Sequence, residues 1–238
     1  MSDKITIYVV RHGQTIMNAL NRVQGWCDSP LTKDGINVAR YLAYGLDAEG
    51  INFRTAYCSD LRRTRQTTQI ILGAKGQEDI PVIEFAGLRE ACFGSFEADF
   101  NRTMWYNAAL YMHYPTAEAM TKDVLAKKIS YKHVLDAIKQ IDTMGLAENF
   151  AQVEARTQES LREIAENEVQ YGEANILVVS HGMSILAMLL GLGGDRLFTR
   201  PLDNAAVCKV TYCAGQFTVE SMADLSFVEK GKSLAKED

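Results

Sequence analysis

Two histidines, His12 and His181, each end a run of apolar residues and precede a glycine, in YVVRHGQTIMN (8–18) and ANILVVSHGMSILAMLLGL (174–192). An imidazole at the carboxyl end of a buried strand faces the crevice where open α/β sheets bind ligands. With an unperturbed pKa of about 6.5 it keeps a neutral nitrogen for nucleophilic attack near neutral pH. Arg11 stands beside the first histidine, and Gln14, Thr15 and Asn18 add hydrogen-bonding groups as the chain turns toward NRVQGWCDSPLT (21–32). Taken alone, the stretch favours a ligand-facing pair over the rival reading of His12 as a satisfied structural histidine and Arg11 as a surface charge. The second His-Gly pair at a strand end makes coincidental packing a poor explanation. The amides that open the helix after His181 also favour an anion.

Two further stretches complete the set. CSDLRRTRQTT (58–68) brings Arg62, Arg63 and Arg65 to the end of another strand and into a helix. Arg62 and Arg65 share a helix face, whereas Arg63 shares one with Gln66 and Thr67. One guanidinium in the crevice suffices, and the other two read as solvated charges. GLREACFGSFEADF (87–100) places Glu90 and Glu97 just past a strand end, where either alone reads as an ordinary surface carboxylate. A histidine nucleophile, a second imidazole, arginine forks and a carboxyl able to protonate a departing oxygen are the parts of phosphoryl transfer. That chemistry calls for no metal and no organic cofactor.

These groups need a scaffold with several strand ends side by side. Strands are expected at 5–10, 55–59, 81–85, 174–180, 206–213 and 216–222, with helices at about 33–49, 60–75 and 181–190. The alternation predicts an α/β three-layer sandwich: a mostly parallel sheet, helices on both faces and an antiparallel edge hairpin turning at Ala214-Gly215. From about 99 to 172 no strand is expected, only helices, which predicts a helical insertion on the sheet's rim. Its Met104, Trp105, Tyr106, Tyr111, Met112 and Tyr114 read either as helix core or as the mouth of a pocket for a partly apolar substrate. One domain over 1–228 is expected, followed by a polar tail, 229–238, that frays.

Composition narrows the partners. The chain has 238 residues, 47% hydrophobic and 23% charged, with a formal net charge of −5. A nucleic acid or an anionic membrane would call for clustered Lys and Arg, so the expected partner is a small phosphorylated substrate; a homodimer is left open. No basic start with an apolar run opens the chain and no stretch approaches the roughly 18 apolar residues of a membrane span, which predicts a cytoplasmic protein. Five cysteines, at 27, 58, 92, 208 and 213, are an odd number without CxxC spacing and are expected as buried thiols. GLGGD (191–195) lacks a full GxGxxG, and no P-loop motif is present.

RHGQTxxN (11–18), QGWxDxPLTxxG (24–35), SxLxRxxQT (59–67), LRExxFGxxE around Glu90 and SHG (180–182) together resemble the histidine phosphatase superfamily, the phosphoglycerate-mutase-like enzymes, in the family's order. The resemblance implies that His12 is the nucleophile that becomes phosphohistidine. It makes Glu90 the acid that protonates the leaving group and then deprotonates the attacking water. It also implies that Arg11, Asn18, Arg63 and His181 bind the phosphate, and that Gln24, Gly25 and Gly182 lie against the substrate. Arg63 rather than Arg62 occupies the family's arginine position. The chain departs from the pattern at Thr64, where the family has Ala and the change adds only a hydroxyl. It departs again at Ala98, where the family has Gly; alanine forbids an easy positive φ and is expected to reshape the loop.

Family mutases carry an arginine pair and a proline-rich run in the insertion. Here NRTMWYNAALYMHYPTAEAM (101–120) has one arginine, Arg102, and no proline run, and Ala91-Cys92-Phe93-Gly94 follows the acid. The expected activity is therefore hydrolysis of a small phosphomonoester through phosphohistidine, without a metal. Cofactor-dependent phosphoglycerate mutase-type transfer is the alternative. A non-catalytic phospho-ligand binding module ranks third, because the His12, Glu90, Arg63 and His181 set is intact.

Overall fold

A computed structural model describes residues 4–235. In chain order the elements are β1 (Lys4–Arg11), α1 (Ile16–Ala19), α2 (Lys33–Ala48), β2 (Thr55–Cys58), α3 (Arg62–Ala74), β3 (Val82–Glu84), α4 (Asn101–Tyr111), α5 (Ala117–Leu125), α6 (Tyr131–Ile141), α7 (Phe150–Val169), β4 (Ala174–Ser180), α8 (Gly182–Leu190), β5 (Val207–Cys213), β6 (Gln216–Asp224) and α9 (Ser226–Leu234). The six strands form one sheet in the order β3-β2-β4-β1-β5-β6. The first four in that order run parallel, and β5 and β6 follow antiparallel. Ala214 and Gly215, at φ 50° and 80°, make the tight turn between β5 and β6, as expected.

The period-two alternation of β1 divides the core. Ile5, Ile7 and Val9 face one apolar layer with α4 to α8, while Tyr8 and Val10 face the other with α2 and α3. Helices therefore cover both faces of a sheet whose central strands are apolar on both sides. Thr32 caps α2 by accepting the N–H of Gly35 at 3.0 Å. No helix of the described residues is long and apolar enough to cross a membrane.

Four expectations are corrected. The insertion is not confined to the rim, because Val153, Leu161 and Ile164 of α7 pack in the same core as Ile5 and Ile7 of β1. The 81–85 strand is a three-residue exposed edge rather than a covered strand. The polar tail does not fray from 229: Phe227 and Val228 of α9 pack against the core of α2, and the helix runs to Leu234. Two glycines allow this close approach, since a Cβ at Gly45 would lie 1.9 Å from the Phe227 carbonyl oxygen and one at Gly231 would lie 1.8 Å from that of Tyr41. Residues 236–238 of the expected tail lie outside the described residues. Cys58, Cys92 and Cys208 are buried as expected, but Cys27 and Cys213 are only partly buried.

Candidate active site

The β1–β4 register sets Arg11 beside Ser180, so His12 and His181 leave neighbouring strand ends together. Their ring centroids lie 5.2 Å apart. β2 pairs with β4 on its other side, and Ser59, just past β2, donates its N–H to the Val179 carbonyl at 3.2 Å. Three adjacent strand ends thus supply two imidazoles and the start of α3.

His12 is held in one tautomer. Its Nδ1 lies 2.7 Å from the Gly13 carbonyl oxygen, and a carbonyl only accepts, so Nδ1 carries the proton and Nε2 keeps its lone pair. The His12 N–H donates to Ser180 at 3.0 Å, and Asn204 Nδ2 donates to the His12 carbonyl at 2.9 Å. Burial, with the charges of Arg63 and Arg11 behind it, holds the His12 pKa well below 6.5. The imidazole is neutral and nucleophilic at pH 7.

His181 is neutral for the same reasons, burial first and then Arg63. Arg63 Nε donates to its Nδ1 at 3.1 Å, which places the proton on Nε2, 2.8 Å from Ser59 Oγ. Ser59 Oγ lies 2.8 Å from Thr64 Oγ1, which itself donates to the carbonyls of Ser59 and Leu61, each at 2.8 Å. With its proton already given to a carbonyl, the Thr64 hydroxyl accepts from Ser59. Thr64 does more than add a hydroxyl: it ends a chain of donations that fixes the tautomer of His181.

Arg63 is fully buried. Besides His181, its guanidinium donates to the Cys27 carbonyl at 2.9 Å, to Asp28 Oδ1 at 3.0 Å and to the Gly25 carbonyl at 2.7 Å. Arg62 is exposed, and Arg65 pairs with Glu84 at 2.6 and 2.7 Å, as solvated charges should. Arg63 and His181, expected to bind the phosphate, are fully buried next to His12, whose ring centroid lies 5.2 Å from that of His181. Arg63 and His181 bond to each other in this arrangement.

Arg11 is differently placed. Its Nη1 donates to the Leu202 carbonyl, while its Nε is buried with no partner among the described residues. A Cβ at Gly182 would lie 3.4 Å from that Nε, so the glycine leaves the space beside it clear. An orphaned guanidinium N–H at a strand end is a donor that an oxyanion would satisfy.

The first turn of α8 does attract an anion, but the anion is Glu90. Its Oε1 accepts from the N–H groups of Ala91 and Ser184 at 2.9 and 2.8 Å, and among the described residues Oε2 accepts only from Met183 N–H, at 3.1 Å; the Ser184 hydroxyl, 3.1 Å from Oε1, gives its proton to the Arg89 carbonyl at 2.6 Å. Oε2 is therefore the oxygen with capacity left for a proton. The Glu90 carbonyl accepts from Trp26 Nε1 at 3.0 Å and from Arg156 Nη2 at 2.9 Å. Arg156 also donates to the carbonyls of Gly87 and Arg89 and forms a two-bond pair with Glu148, both at 2.8 Å. Sequence reasoning missed Arg156, which sits mid-helix in α7 with no motif around it.

Glu97 organises the neighbouring loop, accepting the N–H groups of Gly25, Trp26, Cys27 and Phe93 at 2.9 to 3.1 Å. Gly25 is closely packed, since a Cβ there would lie 2.2 Å from Glu97 Oε1 and 2.3 Å from the Ala91 carbonyl oxygen. Gln24 lines the cavity, although Thr15 Oγ1 and Ser29 Oγ hold both ends of its amide, at 2.6 and 3.2 Å. Asn18 lines it too, its Oδ1 accepting from Thr15 N–H at 3.1 Å, which leaves its amide NH₂ for a ligand. Ala98 adopts φ 66° despite its side chain. Its N–H donates to the Val23 carbonyl at 3.1 Å and its carbonyl accepts from Arg22 Nη1 at 2.7 Å, and these two bonds hold the left-handed backbone.

Above these groups lies a cavity of about 1240 Å³, with Arg11, His12, Asn18 and Glu90 at one end and the insertion's Met104, Trp105 and Tyr106 at the other. Of the stripe, Met104, Trp105 and Tyr106 line the cavity, Met104 and Trp105 also pack on the core with Met112 and Tyr114, and Tyr111 is exposed. A neutral imidazole nitrogen, an unpartnered guanidinium N–H and a carboxyl sharing one cavity can accept a phosphoryl group and shuttle a proton.

The sequence model of the histidine phosphatase superfamily (branch 1) matches residues 7–111 and 111–225. The chain belongs to this superfamily. A 2,3-bisphosphoglycerate-dependent phosphoglycerate mutase 2 from Gloeobacter violaceus is 30% identical over 223 residues, 93% of this chain and 88% of that protein. A phosphoglycerate mutase of Xanthobacter autotrophicus is 39% identical over 108 residues, and the match spans only 52% of its length. Among solved histidine phosphatase folds, a phosphoglycerate mutase from Bacillus anthracis str. Sterne superposes with a TM-score of 0.90 at 35% identity, covering 97% of this chain and 98% of that one. A phosphoserine phosphatase of Entamoeba histolytica, solved with 3-phosphoglyceric acid, gives 0.66 at 25% identity, covering 94% and 99%.

Proposed function

We propose that this superfamily member is a phosphatase that hydrolyses a phosphomonoester of low molecular mass through phosphohistidine on His12. Nε2 of His12 attacks phosphorus and the bond to the ester oxygen breaks, with Glu90 Oε2 delivering a proton to the departing alcohol. Glu90 then takes a proton from water, whose oxygen attacks phosphorus; the P–N bond breaks, Nε2 regains its lone pair and phosphate leaves. Arg11 Nε, the Asn18 amide and, once released from each other, Arg63 and His181 stabilise the equatorial oxygens. No step calls on a metal.

The observation that carries this reading over its rival is the roughly 1240 Å³ cavity above His12 and Glu90. A mutase holds a three-carbon acid and excludes water while the phosphoryl group waits on the histidine; a cavity of this size leaves room for water as acceptor. Mutase-type transfer is the second reading, favoured by the 35% identity and 0.90 TM-score to a phosphoglycerate mutase. The deciding experiment is a panel of phosphorylated metabolites assayed with a chelator present. Phosphate release without interconversion of 2- and 3-phosphoglycerate supports the phosphatase; interconversion without release supports the mutase.

A further inference from the structure

We infer that the substrate carries its phosphate on an apolar body longer than a three-carbon acid, and that the helices of the insertion hold that body. This rests on the phosphatase reading above and names its substrate class. One cavity runs from His12 and Glu90 to α4, α5 and α6. Its 1240 Å³ would hold about forty waters at the ~30 Å³ each takes in the liquid, and a phosphate with three carbons fills a minor part of it.

An apolar strip runs along the wall from the reacting end outward, beside polar residues that include Thr121, Lys122 and Glu118 of α5. Met183 and Leu186 belong to α8, whose first turn holds the Glu90 carboxylate, and Met104, Val124, Leu125 and Tyr131 continue the surface into the insertion. The cavity's further guanidiniums, those of Arg22 and Arg102, stack on the exposed ring of Phe100 at 4.3 and 5.6 Å, and Arg22 also donates to the Ala98 carbonyl at 2.7 Å. Arg22 is committed to Phe100 and the Ala98 loop, whereas Arg102 of α4, with its ring contact, and Lys122 of α5 are cations that line the cavity away from the reacting end. Beside Glu90 the wall is Met183 and Leu186, and an alkyl or aryl chain laid against them and on toward Met104, Val124 and Leu125 leaves water.

Primary n-alkyl phosphates test this, because ethyl, butyl and hexyl phosphate share one leaving group and differ only in the body. We expect kcat/KM to rise by up to about fourfold per methylene, and at least about tenfold from ethyl to hexyl, mainly through KM. Leu125 is 49% exposed, so Leu125→Gln spares the fold and is expected to reduce the hexyl-to-ethyl ratio threefold or more. Phosphate release from every ester with a flat or falling series overturns the inference and leaves the phosphatase reading standing. A rising series that Leu125→Gln does not flatten overturns the placement of the chain on α5. Release from none of them, with interconversion of the phosphoglycerates, overturns both.

Discussion

Nε of Arg63 donates to Nδ1 of His181 at 3.1 Å, with both side chains fully buried behind His12. On the proposed mechanism these two side chains are phosphate ligands that an oxyanion on His12 draws away from each other. Arg63→Ala is expected to lower kcat/KM on an aryl phosphate by a hundredfold or more, about 2.7 kcal/mol, as for the loss of one donor from an oxyanion site. Arg63→Lys should restore little, because one ammonium cannot serve His181, Cys27 and Gly25 in the geometry of a planar fork. A near-silent Arg63→Ala would mean that the pair never opens toward the substrate.

The two buried histidines tie stability to pH. Both have folded pKa values well below 6.5, and about 6.5 in the unfolded chain. Below about 6.5 the unfolded state binds protons that the folded state refuses. The stabilisation is therefore fully present above that pH and is lost as pH falls toward the depressed folded values. The slope approaches about 1.4 kcal/mol per pH unit for each histidine. Urea unfolding from pH 7.5 to 5 should show it, and His181→Gln should remove about half. A flat profile over this window would contradict the buried neutral state.

Ala98 lies at φ 66°, where a Cβ costs roughly 1–2 kcal/mol. Ala98→Gly removes that strain and gives back part of it in unfolded-chain entropy, about 0.5–1 kcal/mol. A net gain of about 0.5–1 kcal/mol follows, raising Tm by roughly 1–4 °C for a chain of this size. A lower Tm in calorimetry would show that the left-handed backbone here is not strained.

Arg156 acts on catalysis through the Glu90 carbonyl. In Arg156→Ala, paired with Glu148→Gln so that no lone carboxylate remains, the 87–90 loop loses three donor contacts. A displaced proton donor should cost about ten- to a hundredfold on alkyl phosphates and much less on aryl phosphates, whose leaving groups need little protonation. Glu90→Gln is expected to show the same split. Equal loss on both esters would place Arg156 in general stability rather than in positioning.

What the sequence made legible was whatever depends on period and type. Apolar runs located the strands, and His-Gly at two strand ends located the reacting corner. Relations between distant residues were not legible in the same way. The β1–β4 register that brings Arg11 beside Ser180 depends on a crossover through the whole insertion. Glu90 occupying the first turn of α8 has no local signature, and neither does Arg156, an unremarkable helical arginine until its carbonyl partners are seen. Thr64 looked minor because its effect runs through Ser59 to His181. At Ala98 the intrinsic preference pointed the wrong way, since two hydrogen bonds outweigh it. In α9 polar composition hid a glycine-lined contact with α2.

The most direct test is to mix enzyme with an aryl phosphate, quench within the first turnover under conditions that preserve phosphoramidates, and map the adduct by peptide mass spectrometry. One phosphoryl group on Nε2 of His12 is expected, absent in His12→Ala, whose turnover should also vanish. A phosphoryl group on another residue, or continued hydrolysis by His12→Ala, would contradict the account.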